Sequence, residues 1–329
     1  MKSTERINNS PVTIEPFIYK IYPEDYISLV QATINNPDLF RDIRQFREQI
    51  FCAENDAAAY QFGKSQLCEY QLLLRRWRET DVPEHQFRET ATQILNELEN
   101  YHYFFKEMGA ALKFSPLSKR HSGTELRNRL LMLLESHLPK ICPKALLLSF
   151  DAIIGKNDIA IKFTDTVFHS RKLADFFSAP FDPETNLHSG IKSETINVRK
   201  QNVSNDLAMV LYLVTIGPGI DETVKLLMSD GDVFDAYLLN GIGGGAAEMV
   251  AFDLNLWVND RFGDAKTPAR YQRFSPGYGD WPVSDQRIIF SLLSPEEHIG
   301  VRLTEGDIMI PEKSTSGIMG AKIILEKST

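Results

Sequence analysis

Leu207-Ala208-Met209-Val210-Leu211-Tyr212-Leu213-Val214-Thr215-Ile216-Gly217-Pro218-Gly219 is the stretch that decides the fold. Apolar and β-branched residues run without a charge up to a Gly-Pro-Gly breaker, which reads as a buried strand. The uncharged run to Ile220 is 14 residues, too short for the roughly 20 that cross a bilayer as a helix. Asp221 and Glu222 follow directly and suit the first turn of a helix, where the backbone dipole favours negative charge.

Outward from this strand the elements do not alternate. Upstream, Thr124–His137 reads as an amphipathic helix, Ala145–Phe150 and Asp158–Phe163 as strands, and Phe168–Ser178 as a helix. Downstream, Phe234–Leu239 and Ala246–Asn259 are helical and are separated by the glycine run Gly241 to Gly245. Ser284–Leu293 is another helix, and Asp307–Leu325 is strand-like with a Gly and Ser interruption. Mixed elements without βαβ repetition argue for an α+β fold rather than a doubly wound sheet.

Glycine separates this part from the rest. Of 19 glycines only Gly63 and Gly109 fall in residues 1–120, leaving 19 − 2 = 17 for residues 121–329. Helix interiors disfavour glycine, so residues 1–120 form an all-α bundle domain of unknown role and residues 121–329 a second domain. Helices are expected over Pro23–Asn35, Pro37–Cys52, Asn55–Glu79 and Pro83–Leu112. In the last, Phe87, Ile94, Leu95, Leu98, Tyr101 and Phe105 recur at helical spacing. The polar stretch Phe114–Gly123 is the candidate linker.

With 329 residues, 43% hydrophobic and 24% charged, the chain can bury a large core. A net charge of −8 excludes the broad basic footprint of a nucleic-acid binder. Cys52, Cys68 and Cys142 form no close pair, and the N-terminus has no signal-like apolar core. The expectation is a cytoplasmic protein with reduced thiols, no membrane span, and scope for oligomerisation.

Two glycine-rich places invite a ligand reading. Gly241-Ile242-Gly243-Gly244-Gly245-Ala246 echoes a dinucleotide fingerprint but follows a helix rather than a strand. Close packing where a helix begins accounts for it better, although backbone N–H groups there could meet a ligand. Arg273-Phe-Ser-Pro-Gly-Tyr-Gly-Asp-Trp-Pro282 gathers a cation, two prolines, two glycines and three aromatics. Such a loop is stiff and shaped. Arg273 suits a carboxylate, and Tyr278 and Trp281 suit a flat ring or a sulfonium; a purely structural turn is the alternative.

In the helical part, Glu99-x-x-His102 is one half of a di-iron bundle signature, but the second copy is missing. A solvated helix face is the better reading, and no metal ligand is assigned. Leu72-Leu-Leu-Arg-Arg-Trp77 reads as core with an exposed basic edge.

Taken together, Arg273-x-x-Pro276-Gly277-Tyr278, the Gln286-containing helix, Leu303-Thr304-Glu305 and Met309 to Gly317 resemble the activation domain of cobalamin-dependent methionine synthase. Val214 to Gly217 and Ala247-Glu248 fall in matching order, so the resemblance runs over about residues 125–329. It implies a sheet of mixed or antiparallel strands with helices, and binding of S-adenosylmethionine. By position, Arg273 would hold the methionine carboxylate, Phe274, Ser275, Pro276, Gly277 and Tyr278 would line the ligand, and Glu248 would be the acidic partner. Ser314 to Gly317, with Ser316 and Gly317 at its end, would form the opposing wall. An aromatic near the ligand in the family is Met319 here.

The chain has no cobalamin-binding Asp-x-His-x-x-Gly motif. The resemblance therefore implies that any cobalamin is carried by a separate corrinoid protein, with flavodoxin or ferredoxin as electron donor. Three functions stay open: reactivation of that cobalamin, an S-adenosylmethionine-consuming enzyme without cobalamin, and a non-catalytic regulatory module. For the second, Glu248, Tyr278 and Asp280 are the acid/base candidates.

Overall fold

The computed structural model describes residues 12–14, 23–111, 124–179, 206–262 and 269–323. They fall into two compact units, each gathered from separate stretches of chain. A sheet unit takes residues 1–16, 143–215 and 253–329, and a helical unit takes 17–142 and 216–252. The lengthwise division at residue 120 rests on glycine content and stays a proposal about how the sequence is organised. The linker proposed at Phe114–Gly123 lies outside the described residues.

The strands are β1 (Val12–Ile14), β2 (Lys144–Ile154), β3 (Asp158–Ile161), β4 (Val167–His169), β5 (Asp206–Thr215), β6 (Ala269–Phe274), β7 (Arg302–Leu303), β8 (Met309–Ile310) and β9 (Ser314–Ile323). The helices are α1 (Pro23–Asn35), α2 (Leu39–Cys52), α3 (Asp56–Gln71), α4 (Phe87–Ala111), α5 (Thr124–His137), α6 (Arg171–Ser178), α7 (Gly219–Asp230), α8 (Val233–Phe262), α9 (Gln286–Leu293) and α10 (Pro295–Ile299). This is an α+β chain with a helical N-terminal region, as read from the sequence.

The main sheet runs β4-β3-β2-β5-β9-β6, with β1 also paired to β2 and every pairing antiparallel. The opening stretch becomes β5, between β2 and β9. Its two faces are both covered: Met209, Leu211 and Leu213 join the core of Trp281, Ile289, Leu293 and Ile318, while Val210, Tyr212 and Val214 are buried on the other side. A strand dry on both faces cannot alternate polar with apolar residues, which is why its sequence is a continuous apolar run. At the far edge, β6 meets α8 through two amides: Asn259 Oδ1 accepts from Tyr271 N at 2.8 Å and Asn259 Nδ2 donates to Tyr271 O at 3.2 Å, with Asn255 Nδ2 donating to the same oxygen at 3.3 Å. The Asn259 side chain mimics a strand neighbour and blunts the edge.

Three sequence readings need correction. Phe168–Ser178 is not one helix; β4 ends at His169 and Ser170 starts α6, its hydroxyl accepting from Leu173 N at 3.0 Å. Asn55–Glu79 stops at Gln71 and continues as a separate 3-10 turn at Arg75–Trp77. The glycine run does not divide two helices, because α8 is continuous for 30 residues through Gly241 to Gly245. Packing overrides propensity there. A Cβ on Gly245 would sit 2.7 Å from the Phe104 carbonyl oxygen and 3.2 Å from Met108 Cβ, so glycine lets α8 approach the α4 backbone. Strands β1, β6 and β7 were not foreseen, being short or polar.

In the helical unit, α2 buries Leu39, Phe40, Ile43, Phe46 and Ile50, and α4 buries Phe87, Ile94, Leu95, Leu98, Tyr101 and Phe105. The 3.6-residue period visible in the sequence places both sets on one face. A polar network is buried beside them. Asp25 Oδ1 accepts from Arg75 N at 2.7 Å, Tyr101 Oη donates to Asp25 Oδ2 at 3.2 Å, and Trp77 Nε1 donates to Glu97 Oε2 at 2.6 Å. Burial pushes the Glu97 carboxyl up to about 6, against the pull of Trp77 and Arg76. Leu74 and Trp77 are core while Arg75 and Arg76 are exposed, as the sequence implied.

Candidate functional site

The site lies where β6 ends and the Arg273–Pro282 loop begins. The loop closes on itself: Gly277 N donates to Trp281 O at 2.8 Å, Tyr278 N to Ser275 O at 3.2 Å and Trp281 N to Tyr278 O at 3.1 Å. Gly277 at φ 94° and Gly279 at φ 63° supply left-handed turns that side chains resist. Trp281 anchors the loop. It is 1% exposed, its indole Nε1 donates to Asp285 Oδ2 at 2.9 Å, and its ring meets Phe168 edge-on at 5.6 Å. It therefore stacks on protein and not on a ligand ring, the alternative that its bulk and neighbours left open in the sequence.

Asp280 is also committed. Its Oδ1 accepts from Ser170 Oγ at 2.5 Å and Lys172 N at 3.0 Å, and Oδ2 from Arg171 N at 3.2 Å. The Ser170 hydroxyl, then the α6 backbone N–H groups, hold its pKa below the usual carboxylate value. A carboxylate capping a helix N-terminus is a poor proton donor or base, which weighs against Asp280 as an acid/base group. Tyr278, by contrast, is 66% exposed, with its ring 6.1 Å from Phe274.

The sheet register sorts the remaining candidates by face. In β9, Met319 pairs with Val210 on one side and Arg273 on the other, and Gly317 pairs with Tyr212. Arg273, Gly317 and Met319 thus share a face with Tyr212, whose hydroxyl is 3.1 Å from Ser275 Oγ. Gly317 is the hub of this group. A Cβ there would lie 2.3 Å from the Phe274 carbonyl oxygen and 3.0 Å from both Ser275 Oγ and the Tyr212 ring. Only the missing side chain permits that convergence.

The opposite face takes Phe274 and Ser316, which pair with Ile318 and Leu213 respectively. Phe274 packs at 5.0 Å from Phe176 and 6.2 Å from Trp281. Ser316 is 2% exposed, and its hydroxyl has no hydrogen-bond partner. A buried hydroxyl without a partner costs free energy. Pro276 is buried and Gly277 exposed. Met319 is fully buried, a core side chain on the Arg273 face.

Glu248 is half-buried on α8 within the helical unit, while the loop belongs to the sheet unit. In that helical unit the Glu99-x-x-His102 pair is occupied by protein. Arg47 Nη1 donates to Glu99 Oε2 at 2.7 Å, and the His102 ring lies 4.5 Å from Phe40. Burial, followed by Arg44 and Lys106, lowers His102 to about 4. Among the described residues no group of three or more His, Cys, Asp or Glu is arranged to hold a metal, and no helix is long and apolar enough to cross a membrane. The residues that sequence reasoning missed are Tyr212 and Ser170. Tyr212 reads only as one apolar position in a strand, and Ser170 is recognisable solely as a helix cap.

Residues 191–324 match the family model of the vitamin B12 dependent methionine synthase activation domain. The resemblance drawn over about residues 125–329 is thereby borne out for its C-terminal part. Among solved structures, one similar chain is described as the crystal structure of the MetH reactivation domain bound to AdoHcy. It is 18% identical, with a TM-score of 0.43, over 71% of this chain and 68% of that one.

Proposed function

We propose that the sheet unit binds S-adenosylmethionine and supports reductive methylation of a cobalamin carried by a separate protein. The observation that carries this reading is the convergence of Phe274 O, Ser275 and Tyr212 on Gly317, inside the segment that matches the activation-domain family. Arg273 would take the methionine carboxylate of the ligand, its planar fork matching two oxygens. Ser275, Gly277 and Tyr278 would line the chain and ring. The side-chain-free Gly317, on the same face as Arg273 and Tyr212, fits a polar ligand pressed close to backbone. S-adenosylmethionine would supply an electrophilic methyl group, while a corrinoid protein and a flavodoxin or ferredoxin would bring the acceptor and the electron.

A stand-alone S-adenosylmethionine-consuming enzyme is less well supported. Where such an enzyme uses a general base or acid at the ligand, the sheet unit's candidates are Asp280, already bonded to α6, and the exposed Tyr278. The deciding experiment incubates the purified chain with S-adenosylmethionine, with and without a corrinoid protein and reductant, and follows products by mass spectrometry. Turnover only with corrinoid and reductant is expected. Turnover without them overturns the proposal in favour of the stand-alone enzyme, and binding without turnover in either arm overturns it in favour of a regulatory module. Arg273→Ala should weaken binding, measured by calorimetry, by roughly 2–4 kcal/mol for a desolvated carboxylate partner.

A further inference from the structure

The helical unit contains a groove that the proposed function does not use. One wall is a face of α5, with Glu125, Leu126, Arg129 and Met132; the other is the corner where α7 passes into α8, with Asp232, Val233 and Phe234. Its volume is about 1200 Å³, above the usual range for a small-molecule cleft. The apolar lining is unusually open to solvent: Val233 is 54% exposed, Phe234 60% and Met132 42%. Tyr237, one helical turn beyond Val233, is 41% exposed. A contiguous apolar surface of this kind marks an interaction site more often than chance exposure.

The charges around it have one sign to spare. The lining holds three acids, Glu125, Asp232 and Asp235, against one cation, Arg129. Arg129 is already clasped by Asp235, its Nε donating to Oδ1 at 2.6 Å and its Nη2 to Oδ2. Glu125 and Asp232 therefore give the groove a net negative rim, and exposed Asp230 lies just before it in the chain.

We infer that this groove docks a basic amphipathic helix of another protein, its apolar ridge laid against Met132, Val233 and Phe234 and its Lys or Arg side chains facing Glu125 and Asp232. A groove between helices is a common receptor for one more helix, read through apolar anchors one turn apart. Charge complementarity selects the basic class and sets the salt dependence. A second copy of this chain fits less well, because it would bring the same acidic rim, on a chain of net charge −8, against itself. The inference is independent of the S-adenosylmethionine site.

The test uses the full chain and three fluorescein-labelled 18-residue peptides in anisotropy titrations: a Leu/Lys amphipathic helix, the same peptide with Glu for Lys, and a scrambled Leu/Lys sequence. Saturable binding of the first alone is expected, weakened at least tenfold by Phe234→Asp and several-fold by Glu125→Lys with Asp232→Lys. Both variant sites are solvent-exposed, and unchanged melting curves would confirm folding. Equal binding of the scrambled peptide, or indifference to Phe234→Asp, overturns the inference. A dimer in sedimentation that Phe234→Asp dissolves assigns the groove to a second copy and overturns it as well.

Discussion

Each unit has a buried tryptophan and, bonded to it or in the same loop, a carboxylate of shifted pKa, and the two shifts have opposite signs. In the helical unit, Trp77 Nε1 donates to Glu97, whose pKa is raised to about 6 by burial. In the sheet unit, Trp281 closes a loop whose Asp280 is held below its ordinary value by Ser170 and the α6 backbone. Glu97 is a charge taken out of water with too few partners to compensate it; Asp280 stays near solvent and collects donors. The same functional group is destabilising in one unit and stabilising in the other, because desolvation and hydrogen bonding shift ionisation in opposite senses.

The largest effect that would sharpen this contrast is steric. Gly317→Val places its Cβ against the Phe274 carbonyl oxygen at 2.3 Å, where backbone must give way. A loss of about 3 kcal/mol is expected, at the upper end for overpacking, together with loss of S-adenosylmethionine binding, read by chemical denaturation and calorimetry. A melting point equal to that of the native chain would show the sheet unit to be far softer than its contacts indicate.

The pH dependence of Glu97 comes next. Its folded pKa of about 6 lies above the ordinary 4.5, so its contribution is fully present below about 4.5 and is lost as pH rises through about 6. Glu97→Gln should gain up to about 2 kcal/mol above pH 7 relative to pH 4, and Trp77 emission should titrate near 6 only when Glu97 is present. Equal stability increments of this variant at both pH values would mean that Glu97 titrates normally. For Asp280 the sign is reversed: its contribution is present above 3.8 and lost as pH falls through the depressed folded value. Trp281 fluorescence should report loosening only below pH 3.8, where the Glu97 contribution to the helical unit is already fully present.

The smallest effect is at the helix cap. Ser170→Ala removes the hydroxyl that accepts from Leu173 N and donates to Asp280, which should cost about 1 kcal/mol. Hydrogen exchange should quicken in the first turn of α6 and leave α4 untouched. Faster exchange in both units would break the separation drawn between them.

Much of the fold was legible in the residue pattern. β5 announced itself by a continuous apolar run, and α2 and α4 by a 3.6-residue period, because local sequence determines which backbone conformation buries the apolar face. The glycines of α8 misled for the complementary reason. Their local propensity breaks a helix, but the nearby Phe104 carbonyl oxygen, on a helix far away in sequence, makes Gly245 the residue that fits. Of the site, the Arg273–Pro282 loop stood out by composition, and its family resemblance by motif order. The roles of Asp280 and Trp281 did not, since a carboxylate or an indole reads the same whether it faces a ligand or the protein.

What the sequence by itself determined is therefore the class of fold, the continuous strand at its centre and the loop to which chemistry would be assigned. Only the tertiary structure decided that Gly317 gathers Tyr212, Ser275 and Phe274 O, that Ser316 keeps an unsatisfied hydroxyl, and that Asp280 caps a helix. Periodicity and turn chemistry act between near neighbours and can be read along one line. Convergence, burial and hydrogen-bond satisfaction depend on residues tens to more than a hundred positions apart, and exist only once the chain has folded.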